Sequence, residues 1–184
     1  MELERFATLV SPHAEAMARV ASALVGTADA EDAAQEALLR AWRAWPTLRD
    51  PAAARTWLLR ITVNVCRSWQ AGHFGTRLRS TEPLETEADD ILGAHADDPG
   101  TSNHAATLDL YDALSGLDPD LRQTVALRYF AGMDATEIGT LLEVPPPTVR
   151  TRLRCALTLL RASLGAPGTS STTFSPASTL ERGS

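Results

Sequence analysis

At 184 residues with 44% hydrophobic side chains, the chain is long enough to bury one core or two small ones. It has no run of about 18 apolar residues to span a bilayer, and MELERFATLV lacks the basic and apolar parts of a secretory leader, so a cytoplasmic protein without membrane insertion is expected. Two distant cysteines and four scattered histidines fit no zinc, phosphate-loop or nucleophile-elbow spacing, which argues against a metal site, a cofactor and a catalytic residue. The net charge of −6 argues against nucleic-acid binding only until the charges are placed. Residues 1–79 hold ten arginines against eight acids and residues 122–164 hold six against three, whereas residues 80–121 hold eleven acids and no arginine or lysine.

In chain order, Leu9 to Val25 reads as a first helix with Ala16, Val20, Ala23 and Leu24 inward, ended by Gly26. A second helix is expected from Ala30 to Trp45, with Asp29 as N-cap, acids in its first turn and Pro46 beyond its end. Ala34, Ala37, Leu38, Ala41 and Trp45 form its apolar side; Asp32, Gln35, Glu36, Arg40 and Arg43 form the polar side. The third helix starts at Asp50-Pro51, a cap followed by an N1 proline, and runs to about Gln70 before Gly72. Ala54, Trp57, Leu58, Ile61, Val65 and Trp69 are assigned to its buried stripe, so the tryptophans are read as core. Arg60, Asn64 and Arg67, at spacings of four and three, share an outer face suited to a polyanion.

Gly and Pro punctuation marks residues 75–104 as an acidic linker, and residues 165–184, mostly Gly, Pro, Ser and Thr, as a disordered tail. Between them, helices around Leu108 to Leu117 and Asp120 to Ala131 supply Leu114, Leu117, Leu121, Val125, Leu127 and Phe130 to a second core. Cys66 and Cys155 each lie on a strongly helical stretch and are expected to pack.

The last helical stretch, DATEIGTLLEVPPPTVRTRLRCALTLLR from Asp134 to Arg161, has the pattern of a helix-turn-helix. Ile138, Leu141 and Leu142 recur at helical spacing behind a cap at Asp134 or Thr136, and Val144 turns the chain inward. Pro145, Pro146 and Pro147 stop the first helix, with Pro147 suited to N1 of the next. Val149, Leu153, Ala156, Leu157 and Leu160 then form an apolar stripe, leaving Arg150, Arg154 and Arg161 outward and Arg152 on the flank.

The segments DAEDAAQEALLRAWRAW, RTWLLRITVNVCRSW and ALSGLDPDLRQTVALRYFAGMDATEIGTLLEVPPPTVRTRLRCALTLLRA together closely resemble bacterial sigma factors of the extracytoplasmic-function group. The resemblance covers about residues 9–163 apart from the linker, in the family's order and spacing. It implies an all-α fold of two small helical domains, a region 2-like unit at 3–74 and a region 4-like unit at 105–164, tethered by the flexible linker. It further implies core RNA polymerase (beta and beta-prime subunits), promoter DNA and an anti-sigma factor as partners.

Carried over by position, Asp32, Gln35, Glu36, Arg40 and Arg43 match the polymerase-docking helix. Arg60, Asn64 and Arg67 match the element that reads and helps melt the minus-10 sequence. Thr148, Arg150, Thr151, Arg152 and Arg154 match the minus-35 reading helix. The chain departs from the family in lacking a basic cluster after Asn64 and in carrying Pro147 where glycine is common. An operator-binding helix-turn-helix regulator that acts without polymerase is the alternative expectation.

Overall fold

The computed structural model describes residues 2–77 and 102–165, so residues 78–101 of the expected linker and 166–184 of the expected tail lie outside the described residues. All regular structure among the described residues is helical: α1 (Glu2–Val10), α2 (Ala14–Val25), α3 (Thr27–Ala44), α4 (Ala54–Arg77), α5 (Ser102–Ser115), α6 (Pro119–Val125), α7 (Ala135–Leu142) and α8 (Pro146–Gly165). None of these helices is long and apolar enough to cross a membrane.

The expected helix from Leu9 to Val25 is in fact two. Pro12, which cannot donate to a continuing ladder, lies in the break between α1 and α2, and α2 restarts with Met17 N–H bonded to His13 O at 3.0 Å. The added helix α1 buries Phe6, whose ring meets Trp42 and Trp45 edge-on at 5.1 and 5.6 Å. Gly26, at φ 89°, adopts a backbone conformation closed to most residues and lets α3 follow α2 without a loop. Helix α3 therefore begins three residues earlier than expected, and Asp29 lies in its first turn rather than at its cap.

Ala30, Ala33, Ala37 and Ala41 are all buried on one face of α3, and their small side chains let it lie close against α2 and α4. Asp50 caps the next segment as expected, accepting from Ala52 N–H at 2.9 Å over a single turn at Pro51–Ala53 that leads into α4. Helix α4 continues to Arg77, past Gly72 and into the residues assigned to the linker. Its buried arc is also wider than the expected stripe. Leu59, Thr62, Val63 and Cys66 are buried beside Leu58 and Val65, because α4 packs on α1, α2 and α3 together, while Trp57, Ile61 and Trp69 are half-buried at its margin.

In the second unit, Asp118 caps α6 by accepting from Asp120 N–H at 2.9 Å, with Pro119 in the first turn. Beyond Val125 the helix widens over Ala126–Phe130, closing with Ala131 N–H on Ala126 O at 3.3 Å and Met133 N–H on Leu127 O at 3.0 Å. Leu114, Leu127, Met133, Ile138 and Val149 form the fully buried centre against which α8 lays Ala156 and Leu160.

The two units are not merely tethered. Helix α2 packs on α5, α6 and the 126–130 turn, and α4 packs on α7. Cys66 is buried, which pushes its thiol up to about 12 and fits the packing role, but Cys155 is exposed on α8, one residue beyond Arg154 and outside the apolar stripe.

Candidate nucleic-acid interface

The helix-turn-helix is built by α7 and α8. Asp134 accepts from the N–H groups of Thr136 at 2.7 Å and Glu137 at 2.9 Å, while Glu137 Oε2 accepts from Asp134 N–H at 2.7 Å, a complete capping box. The turn is made by Glu143 in the left-handed conformation, φ 59°, and by Val144 N–H on Gly139 O at 3.0 Å. Helix α8 opens at Pro146 rather than Pro147, with Thr148 and Val149 N–H both reaching Pro145 O. The proline run thus starts the helix without interrupting it.

Hydrogen bonds from Glu137 N–H, and then from Thr136 N–H, hold the Asp134 carboxyl below the usual carboxylate range. A depressed folded-state value means this contribution is present above the unfolded value, about 3.9, and is lost as pH falls through the lower folded value. Asp134→Asn is therefore expected to lower thermal stability at neutral pH and to flatten its decline below about pH 4. Melting curves of the two proteins that stay parallel between neutral and acid pH would sink the assignment.

On α8, Arg150, Thr151 and Arg154 are exposed and Thr148 is half-buried. Thr151 Oγ1 donates to Pro147 O at 3.1 Å and accepts from Arg154 at 3.4 Å, which aims the Arg154 side chain toward the start of the helix. Arg152 stands apart. It is directed into the unit and bonded to the Asp120 carboxylate of α6, so it fastens α8 to its support.

On α3, Asp32, Gln35, Arg40 and Arg43 are exposed and Glu36 is half-buried. Arg40 pairs with Glu36 at 2.8 Å and Gln35 with Glu31 at 3.1 Å, each one helical turn away. Beside them Leu3 and Leu39 are 68% and 51% exposed and line a groove with Phe6, Leu38 and Trp42, giving the polar face an apolar neighbour. The periodicity of α3 alone did not single out this border, since half of it comes from the unexpected α1.

On α4, Arg60, Asn64 and Arg67 lie on one outward face as expected, but the two arginines are engaged. Arg60 donates to Thr140 O at 2.8 Å, and Arg67 to Gln123 Oε1 at 2.7 Å with Asp120 at 4.0 Å. Arg55, which carried no local signal, reaches Glu137 at 3.5 Å and also Ala131 O. The hydrogen-bonded partners are 56 to 82 residues away in sequence, so no window of the chain could reveal them.

A helix-turn-helix with an arginine-bearing second helix, joined to a helical unit with its own arginine-asparagine face, defines a two-part DNA-reading protein. The comparisons identify which kind. The family described as Sigma-70 region 2 matches residues 9–72, and Sigma-70 region 4 matches residues 107–160. The ECF RNA polymerase sigma-E factor of Escherichia coli K12 is 30% identical over 154 residues, 80% of either chain. RfaY of Xanthomonas campestris, named a probable RNA polymerase sigma factor, is 34% identical over 143 residues, covering 74% of this chain but only 34% of its own length. In fold, the chain is similar to the sigma factor RpoE of Bartonella quintana, solved with the anti-sigma factor NepR, with TM-score 0.68 and 21% identity over 89% of this chain and 98% of that one. The chain belongs to the extracytoplasmic-function group of RNA polymerase sigma factors. The paired region 2 and region 4 matches favour this over an operator-binding regulator.

Proposed function

We propose that this chain binds core RNA polymerase through its beta and beta-prime subunits and directs promoter-specific initiation, residues 3–74 serving the clamp and the minus-10 element and residues 105–164 the minus-35 element. The observation that carries this reading is the outward face of α8, where Arg150, Thr151 and Arg154 stand exposed on a helix fixed by the capping box and the tight turn. Arginine reads guanine through two parallel bonds to O6 and N7, and a threonine hydroxyl can donate to or accept from a base edge, so this face suits the major groove. Thr148, nearest the helix start, is assigned to the same element. Arg152, paired with Asp120, acts there as a positioning residue.

In the first unit Arg60 and Arg67 take phosphates or strand contacts of the minus-10 element, and Asn64 takes an unstacked base. The α3 face of Asp32, Gln35, Glu36, Arg40 and Arg43, bordered by Leu39, takes the polymerase. The polymerase supplies the chemistry and this chain the recognition, in the cytoplasm where chromosome and polymerase meet. An anti-sigma factor, the kind of partner named for the Bartonella relative, is the expected antagonist.

Purified chain mixed with bacterial core polymerase and a promoter library is expected to give start sites that depend on the chain and share two spaced elements. Tight specific DNA binding by the chain alone, without stimulated initiation, would overturn the proposal.

A further inference from the structure

We propose that the proline run at the start of α8 is a specificity device: it withholds the main-chain grip on phosphate that a helix start offers, and leaves that contact to Arg154, steered by Thr151. The inference rests on the minus-35 role assigned to α8 above and deepens it. The first four N–H groups of a helix have no partner within it, which makes a helix start a ready phosphate site. In α8 none of the four is left over. Pro146 and Pro147, the first two residues of the helix, carry no N–H, and those of Thr148 and Val149 are both given to Pro145 O, at 2.9 and 3.2 Å. The other helix of the motif is no better placed. There the Asp134 carboxylate takes the N–H groups of Thr136 and Glu137 and sets a negative charge at the start of α7.

A phosphate grip made by the main chain is blind to sequence, because every nucleotide carries the same phosphate. Without it, side chains must hold the DNA at this end. Of the four arginines of α8, Arg152 is committed to Asp120 and Arg161 lies near the far end of the helix, which leaves Arg150 and Arg154 exposed toward its start. The two are held differently. Thr151 Oγ1 hangs from Pro147 O at 3.1 Å and accepts from Arg154 at 3.4 Å, so the proline carbonyl, through the hydroxyl, turns the Arg154 guanidinium back toward the end of the helix that lacks N–H donors. Arg150 makes no such bond to Thr151 and is left for a base edge. Thr151 is thus a positioning residue for a phosphate contact, and the prolines ensure that this contact is not duplicated by the backbone.

The test uses the full chain with core polymerase, bound over a range of salt to a promoter recovered by chain-dependent initiation and to a derivative whose upstream element is scrambled. Pro147→Ala restores one N–H in the first turn, and Pro145, lacking a side-chain acceptor, leaves that N–H open. Both DNAs should then bind about tenfold tighter, by the same factor, as one added hydrogen bond to a charged group predicts. Pro145→Ala also removes a ring but puts its N–H outside the helix, and it should leave binding unchanged. Arg154→Ala should weaken both DNAs equally and make the fall of log affinity with log salt shallower by about one. Thr151→Val should give a smaller loss of the same pattern with its melting temperature unmoved.

Unchanged affinity in Pro147→Ala would overturn the proposal, as would equal tightening in Pro145→Ala, which would assign the effect to the ring rather than the N–H. A loss in Arg154→Ala confined to the intact upstream element would overturn it too, by making that arginine a base reader. The two readings fail separately. If Arg150→Ala weakens only the intact element while Pro147→Ala changes nothing, the proline role falls and the minus-35 reading stands; if neither variant alters binding to either DNA, both fall.

Discussion

Gly139→Ala is expected to disable the second unit and abolish use of any promoter that depends on its upstream element. A Cβ built on Gly139 falls 2.7 Å from the main-chain oxygen of Val144, closer than side chains approach a carbonyl, and Pro146 N lies 3.5 Å away. The obstruction is backbone, and it sits in the turn that sets the angle between α7 and α8, so it cannot be relieved by swinging a side chain aside. Separating the two helices or rebuilding the turn should cost about 1–3 kcal/mol, the usual range for overpacking. Denaturant unfolding of the full chain should show that loss, and footprinting with polymerase should show protection lost upstream. Gly165→Ala is the control: it lies at the end of α8 with nothing within 4 Å of its added methyl, and it should leave both measurements unchanged or slightly improved. Equal stability for Gly139→Ala and the parent would show that the turn is looser than the geometry requires.

Arg150→Ala should weaken use of the upstream promoter element by roughly 5- to 150-fold, the equivalent of about 1–3 kcal/mol for a bidentate arginine-base contact. The loss should depend on base identity at one position of that element, because a contact to a base edge carries sequence information and one to phosphate does not. Arg152→Ala is the instructive comparison. Its guanidinium is committed to Asp120, so its removal should lower stability and weaken all promoters alike, without relaxing specificity at any base. Transcription from a panel of single-base variants of the upstream element checks both outcomes. A uniform loss in Arg150→Ala, or a base-selective loss in Arg152→Ala, would exchange the roles assigned to the two residues.

Much of the architecture was legible because it depends on local chemistry. Asp50-Pro51 and Asp134 announce helix starts through side-chain acceptors two or three residues from the N–H groups they satisfy; the Asp50 cap forms as read, and of the two candidates Asp134 and Thr136 it is Asp134 that caps α7. The stripe of Val149, Ala156 and Leu160 and the outward placement of Arg150 and Arg154 follow from the 3.6-residue period alone. The misplaced boundaries have physical causes too. Leu9 to Val25 is apolar enough to read as one helix, yet Pro12 divides it, and Thr27 joins α3 early because Gly26 can adopt a conformation that Asp29, as a cap, would not have needed. Cys155 was assigned to packing from its helical neighbourhood, but it falls one position outside the buried stripe.

The candidate site divides in the same way. Which residues share a face was fixed by spacing within single helices, so the outward sets on α3, α4 and α8 could be named from the sequence, along with the two-unit helical plan. Which of those residues are available was decided only by tertiary structure. Arg152 is drawn inward by Asp120, 32 residues away, and Arg60 is held by Thr140, 80 residues away. An arginine's reach and charge are properties of its side chain, but its partner is set by how whole helices pack, and that packing depends on cores assembled from both ends of the chain.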